Sequence, residues 1–178
     1  AMWIAAAICL AKVLHELGHG MTCRHYGGEC HELGVMFLVF TPCLYCNVSD
    51  AWMIPSRWRR IAISAAGMWV ELILASACTI VWWYSEPGLL NAICLNIMFV
   101  CSVSTVLFNG NPLLRYDGYF ILADLVEIPN LRQQSMAALK RVASSFFLGL
   151  PAQQSVGLDR RHWLLIGYAI ASTIYRWL

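Results

Sequence analysis

The stretch His15-Glu16-Leu17-Gly18-His19 places two imidazoles and a carboxylate at a spacing suited to zinc-dependent hydrolysis. Residues i and i+4 of an α-helix lie one above the other, so His15 and His19 can hold one metal ion from a single helix face. Glu16 then faces the open coordination position, where a carboxylate can act as a general base. These residues predict a catalytic metal site. The alternative is a surface helix with two unrelated histidines.

A third metal ligand is expected, because zinc held by two histidines needs another protein ligand and leaves the fourth position for water. The candidate lies in the stretch Asn109-Gly110-Asn111-Pro112-Leu113-Leu114-Arg115-Tyr116-Asp117-Gly118. Pro112 stops a preceding helix and Gly118 permits a tight turn. The sequence therefore predicts that the Asp117 carboxylate is aimed at the two histidines.

The elements that must position these residues are membrane helices. Of the 178 residues 60% are hydrophobic and 12% are charged, whereas soluble domains carry about 25% charged residues. Mean hydropathy is +0.61. A net charge of +2, without a basic cluster interleaved with aromatic residues, argues against a nucleic-acid partner. The chain opens inside an apolar helix without a signal-peptide pattern, so we expect an excerpt of a longer protein.

Apolar runs predict an all-α, multi-pass integral membrane protein lying in the lipid bilayer. Four segments are candidate spans, the last of them shorter and weaker: 2–22, 61–84, 89–108 and 162–178. We treat 1–178 as one membrane-embedded domain. Within it we expect a catalytic core over about 2–125, an amphipathic connector over 127–160 and a C-terminal helix over 162–178.

The basic residues predict the orientation. Ten of the twelve Lys and Arg residues fall in the two connections that follow the first and third spans: Arg24, Arg57, Arg59, Arg60, Arg115, Arg132, Lys140, Arg141, Arg160 and Arg161. The positive-inside rule makes that side cytoplasmic. The first span ends there with its metal motif, and so does the third. The segment after Phe108 can therefore meet His15 and His19, with the active site towards the cytoplasm.

The two motifs together carry a resemblance. His-Glu-x-x-His on one membrane helix, and Asn-x-x-Pro-x-x-x-x-Asp-Gly after another, resemble the site-2 protease family of intramembrane zinc metalloproteases. The likeness covers roughly residues 5–125. It implies a three-helix core in which His15, His19 and Asp117 bind one catalytic zinc ion, and Glu16 takes the proton of the zinc-activated water.

The resemblance also implies a substrate: a membrane-embedded peptide or protein whose helix unwinds before the bond is hydrolysed. Asn109 is a candidate oxyanion or substrate-binding residue. The apolar segment 34–40 is too short to span, favours extended structure, and is followed by Thr41-Pro42, which we expect to end it. The family has a re-entrant β-like element here, whose edge could pair with a substrate strand. An interfacial loop packed against the helices is the alternative.

The second span departs from the family pattern. Site-2 proteases usually carry Ala-Gly-Pro-x-x-Asn there, but this chain reads Ala66-Gly67-Met68-Trp69-Val70-Glu71. Gly67 still permits close helix approach. An ionisable group in a membrane is costly unless it is paired, and Lys12 lies on the same helix face as His15. We hypothesise that Glu71 and Lys12 pair beside the zinc. The alternative is that Glu71 binds the substrate backbone.

Two other features are weaker. His31-Glu32-Leu33-Gly34 repeats the start of the metal motif, but Val35 replaces the second histidine, so we expect no metal there. Cys43 and Cys46 have chelating spacing, and whether they bind a second metal with Cys23 and Cys30 is left open by the sequence.

Two functions besides proteolysis are compatible with these residues. One is a non-catalytic or maturation subunit of a membrane peptide-export system that keeps the zinc site, with an unidentified partner subunit. The other is a metal carrier that uses His15, His19 and Asp117 only for transit. The intact Glu16 favours hydrolysis, because transport needs no general base.

Overall fold

Helices dominate the computed structural model, which describes residues 2–38, 41–148 and 160–177. The chain forms helix α1 (Met2–His25), strands β1 (Leu33–Leu38) and β2 (Thr41–Cys46), a 3-10 turn (Ser49–Met53) and helix α2 (Arg57–Tyr84). Helix α3 (Leu89–Val103) continues as a π-helical turn (Ser104–Asn109), followed by α4 (Asp117–Leu125), α5 (Leu131–Leu148) and α6 (Arg160–Trp177).

These elements form two compact units, Ala1–Leu125 and Val126–Leu178. The N-terminal unit contains α1 to α4 and the two strands. In the C-terminal unit α5 packs against α6. Helix α5 occupies much of the predicted connector 127–160, whose positions 149–159 lie outside the described residues.

Three helices are long and apolar enough to cross a membrane: Trp3–His25, Arg57–Tyr84 and Leu89–Asn109. The prediction of a mostly helical chain with these three candidate spans is confirmed. The fourth predicted span is also helical, but among the described residues it does not reach the same apolarity. Its helix, α6, carries Arg160, Arg161 and Arg176, and that it crosses a membrane stays a prediction.

Small residues allow α1, α2 and α3 to pack closely. The shared core is built around Ala7 and Ala11 of α1, Ala75 of α2, and Cys94 and Cys101 of α3. In lipid, helices associate mainly by van der Waals packing, which small side chains permit by bringing the backbones together. This close packing fixes the faces of α1 and α2 that carry the metal motif and Glu71.

The strands form an antiparallel hairpin whose register runs from Leu33 opposite Cys46 to Leu38 opposite Thr41. The expected extended segment 34–40 is thus present as β1, apart from positions 39 and 40, which lie outside the described residues. Thr41-Pro42, however, begins a second strand instead of ending the extended structure. Proline is tolerated because a two-stranded sheet consists only of edge strands. The hairpin returns the chain to Cys46, beside α1.

Candidate active site

The two motif histidines converge on one point. Both side chains are buried on α1, and their Nε2 atoms lie 3.1 Å apart. His15 is ten residues before the end of α1 at His25, which places it about 15 Å inside the helix end. The site therefore lies within the helical core of the N-terminal unit.

Asp117 completes a set of three side chains that could hold a metal ion. As the first residue of α4, it places Oδ2 3.1 Å from Nε2 of His15 and Oδ1 3.4 Å from Nε2 of His19. The donor atoms of the three residues all lie within 4.8 Å of one another. Gly118 allows the start of α4 to lie against the backbone of Gly110, because a Cβ at position 118 would lie 2.6 Å from the carbonyl oxygen of Gly110. The structure thus brings together the three residues predicted as ligands.

The hydrogen bonds behind the histidines suit metal binding. Nδ1 of His19 donates to the carbonyl oxygen of Ile63 at 2.7 Å, and Nδ1 of His15 lies 3.2 Å from Oε1 of Glu71. With the proton on Nδ1, the Nε2 atom of a neutral imidazole carries a lone pair. The Nε2 lone pairs of His15 and His19 and the carboxylate of Asp117 then face one point. Such an arrangement favours the binding of a cation.

Asp117 gives a second sign of a metal. Its Oδ2 is buried and receives no hydrogen bond of good geometry within the described residues, although Nε2 of His15 lies 3.1 Å away. A buried carboxylate oxygen left in this way costs free energy unless a cation is bound. The donor set, two imidazoles and one carboxylate, is the kind that zinc takes in catalytic sites.

Gly67 of α2 keeps space open beside the donor atoms. A Cβ at this position would lie 2.5 Å from Cε1 of His15, and 2.6 Å from Nε2 of both His15 and His19. No real Cβ tolerates such distances, so either both rings or the helix would have to shift. The glycine at this point of the second span is therefore required by the donor set as well as by close helix packing.

We expect Gly67→Ala to weaken zinc binding. Overpacking of this kind costs about 1–3 kcal/mol, which corresponds to a rise of about 5- to 150-fold in the zinc Kd. Competition with a chelator in detergent measures the change. Gly167→Ala is the matched control, since a Cβ there meets nothing within 4 Å. An unchanged Kd in Gly67→Ala would show that the metal does not sit between the two rings.

Glu16 faces a cavity next to the donor set. It is half-buried and, together with His19 and Asp117, lines a space of about 410 Å³. The backbone of Cys46, at the end of β2, lies near the Glu16 carboxylate. The other lining residues come from β2, the segment after it, α2 and α4: Tyr45, Cys46, Asn47, Val48, Ser49, Ala51, Trp52, Arg60, Ile63, Ser64, Phe120 and Asp124.

Lys12 and Glu71 form an ion pair next to His15. Lys12 Nζ is 3.2 Å from Oε1 of Glu71 and donates to Oγ of Ser104 at 2.8 Å. The Glu71 side chain has no exposed surface, whereas 37% of the Lys12 side chain is exposed. Asn109 is also buried here, with its Nδ2 3.2 Å from Oε2 of Glu71. In this arrangement neither Glu71 nor Asn109 lines the cavity.

Sequence reasoning missed Ser104 and Thr105. Both hydroxyls donate to Glu71, Ser104 at 3.2 Å and Thr105 at 2.6 Å. They belong to the π-helical turn, a distortion that often occurs at functional sites. The available signal was a Ser-Thr pair inside an otherwise apolar span that precedes Asn109.

The cysteines near the site form a thiol pair. Sγ of Cys30 lies 3.0 Å from Sγ of Cys46, while the side chain of Cys43 lies outside the described residues. Burial, then the hydrogen bond with Cys30, raises the pKa of the Cys46 thiol to about 12, so the thiol stays protonated at neutral pH. Within the described part of the chain, no cysteine belongs to a group of three converging metal donors.

Comparison with known proteins identifies the family of this chain. The sequence model of the family described as Peptidase family M50 matches residues 3–94, slightly more than half of the chain. This chain belongs to peptidase family M50, the site-2 protease family. The M50 match includes the histidine motif and Glu71, and it ends before Asp117.

One curated relative extends this comparison. The chain is 30% identical over 125 residues to a Bacillus subtilis (strain 168) protein named "Putative peptide zinc metalloprotease protein YydH". The alignment covers 68% of this chain and 47% of that protein, so this chain spans about half the length of its relative. No solved structure matches. Membership of the M50 family and this relative support a metalloprotease in a membrane, with zinc as the implied metal.

Proposed function

We propose that this chain is an intramembrane zinc metalloendopeptidase that hydrolyses peptide bonds of membrane-associated substrates. The observation that carries the proposal is the convergence of His15, His19 and Asp117 beside a cavity into which Glu16 projects. Metal ligands alone would suit a structural or transport site. A carboxylate at the cavity wall, next to an incomplete set of ligands, suits a hydrolase.

The two imidazoles and the Asp117 carboxylate would hold the zinc next to the cavity, which His19 and Asp117 also line. A bound zinc ion would supply Lewis acidity to the attacking water and to the substrate carbonyl. Glu16 would accept the proton of the attacking water and donate it to the leaving amine nitrogen as the C–N bond breaks.

The cavity suits an extended peptide with an apolar side chain. Trp52 and Phe120 meet edge to face in its wall, with ring centroids 6.4 Å apart. On the same wall, Arg60 Nε donates to Oδ1 of Asp124 at 2.6 Å, which neutralises both charges next to the apolar surface. An unwound substrate segment would place an apolar side chain against the aromatic pair, and could pair its backbone with the nearby hairpin.

The position of Glu16 also bears on the alternatives. A metal carrier or a non-catalytic export subunit would need the three ligands but no carboxylate between them and a substrate-sized cavity. We therefore favour proteolysis over both.

The experiment is a cleavage assay on the full chain purified in detergent, with bound zinc quantified. We expect one zinc per chain and cleavage of a membrane-spanning peptide, lost on treatment with a zinc chelator and regained on adding Zn²⁺. One bound zinc without cleavage across a panel of membrane peptides would favour the export subunit. Transport of Zn²⁺ across the membrane of vesicles that contain the protein would favour the metal carrier.

We also propose that the active site opens towards the cytoplasm. The 28-residue helix α2 is about 42 Å long, so Ser56 and Glu86 lie at opposite membrane surfaces. The candidate metal site is built from the C-terminal half of α1, the N-terminal half of α2 and the segment after α3, and these three parts lead to the same membrane surface in the predicted topology. That surface carries the predicted excess of Lys and Arg.

Cysteine-accessibility labelling tests this topology. In a background lacking the native cysteines, we expect single cysteines at Ser56 and Gln153 to react from the cytoplasmic side, and one at Glu86 from the other side. Gln153 lies outside the described residues, so its labelling also tests the predicted position of the 127–160 connector. Labelling of Ser56 and Glu86 from the same side would overturn the arrangement.

A further inference from the structure

Glu71 has more hydrogen-bond donors around it than a simple ion pair needs. Its carboxylate is completely buried. Its Oε1 lies 3.2 Å from both Lys12 Nζ and Ser104 Oγ, and its Oε2 accepts from Thr105 at 2.6 Å and from Asn109 at 3.2 Å. These donors come from α1 and from the π-helical turn, so they hold the carboxylate from two helices.

One further contact of this carboxylate is to a metal-ligand residue. Nδ1 of His15 lies 3.2 Å from Oε1 of Glu71. His19, the other histidine ligand, has a neutral acceptor at the same ring position, the carbonyl oxygen of Ile63 at 2.7 Å. Each ring is therefore held through Nδ1 from α2, but only His15 is held by a negative charge.

We infer that Glu71 is a positioning residue for zinc: its carboxylate accepts a hydrogen bond from Nδ1 of His15 and thereby aims Nε2 of that ring at the metal position. The inference rests on the proposed zinc site. A carboxylate behind a histidine ligand fixes its tautomer and orientation, and the loss of such a partner typically weakens metal binding about 10- to 100-fold. Lys12 then has a separate role, which is to balance the charge of Glu71 within the membrane.

The geometry separates this role from the two expectations drawn from sequence. Pairing with Lys12 alone would not require His15, and binding of substrate backbone would require Glu71 to reach the cavity, which it does not line. The donors on the π-helical turn are explained by positioning. Ser104, Thr105 and Asn109 fix the side chain so that Oε1 stays between Lys12 and His15.

Two variants distinguish positioning from charge pairing. For Glu71→Gln we expect a zinc Kd about 10- to 100-fold higher and a lower unfolding temperature, because a neutral amide replaces the carboxylate and leaves Lys12 unpaired. Addition of Lys12→Met should restore much of the unfolding temperature but not the zinc affinity. Chelator competition and thermal unfolding of the metal-free protein in detergent measure the two quantities separately. Recovery of zinc affinity together with stability in the double variant would overturn the positioning role.

A milder variant tests the same inference with Glu71 in place. Thr105→Val removes the 2.6 Å donor to Oε2 without a change of shape, and we expect a several-fold rise in the zinc Kd. Thr79→Val is the matched control, because the Thr79 hydroxyl donates to the carbonyl of Ala75 in its own helix. If Thr105→Val and Glu71→Gln both bind zinc as tightly as the wild type and the Thr79→Val control, the inference is overturned while the proposed function stands. A wild type that binds no zinc would overturn the proposed function itself.

Discussion

Glu16→Gln is expected to abolish peptide cleavage while leaving zinc bound. Glutamine has nearly the same shape as glutamate but cannot accept a proton from water, and general acid–base catalysis contributes about 10²- to 10⁴-fold to the rate of such reactions. We expect kcat to fall by that factor, with little change in KM. The side chain lines the cavity without belonging to the three converging ligands, so the zinc content should stay near that of the wild type.

The measurement is a single-turnover cleavage assay run beside metal analysis of the same sample. Glu29→Gln is the matched control, since Glu29 lies in the connection after α1, with 77% of its side chain exposed and outside the cavity lining. Its kcat should equal that of the wild type. Full activity in Glu16→Gln would remove the proposed proton acceptor, and loss of zinc would instead place Glu16 among the ligands.

The sequence predicted the helices more accurately than the hairpin. Apolar runs located α1, α2 and α3 within a few residues, because burial in lipid demands long uninterrupted helices. Helix α2 starts at Arg57, four residues before the predicted 61, since basic side chains at a helix end can extend to the membrane surface without breaking backbone hydrogen bonds. The second strand was missed because Pro42 was interpreted as a terminator, although a hairpin edge accepts proline.

The candidate site was likewise predicted in part: its histidine motif was found from the sequence, and most of the network around Glu71 was not. Local spacing identified His15, Glu16 and His19, because a helix fixes which side chains share a face. The network around Glu71 was visible only as a possible pair with Lys12. The hydroxyls of Ser104 and Thr105 contact Glu71 because a π-helical turn changes the direction in which these side chains point. The position of such a turn cannot be predicted from the spacing of apolar residues.

The cavity could not be predicted from the sequence. Its wall combines residues from five elements that meet only through tertiary packing: Glu16 of α1, Tyr45 of β2, Trp52 of the 3-10 turn, Arg60 of α2 and Phe120 of α4 are examples. No single segment of the sequence carries a pattern for it. The Arg60–Asp124 pair joins residues 64 positions apart, so its presence in the wall depends on how α2 and α4 pack.

Asp117→Ala is expected to remove the metal itself. The substitution leaves two imidazoles to hold the ion, and loss of a direct ligand should cost more than the loss of a supporting residue, so we expect the zinc Kd to rise by more than about 100-fold. Cleavage should disappear with the zinc. The protein should remain folded, because removal of a buried carboxylate oxygen without a good hydrogen-bond donor relieves an unfavourable group in the metal-free state.

Metal analysis and thermal unfolding of the same preparation test both halves of this expectation. Glu86→Ala is the control for loss of an acidic side chain, because Glu86 is exposed in the connection between α2 and α3 and belongs to neither group of converging metal donors among the described residues. It should keep the wild-type zinc content. Since the family match ends at residue 94, Asp117 is assigned by its motif and its geometry alone. Full zinc content in Asp117→Ala, with another residue in the coordination shell, would therefore show that Asp117 is not the third ligand. The roles assigned to His15, His19 and Glu16 would be unaffected.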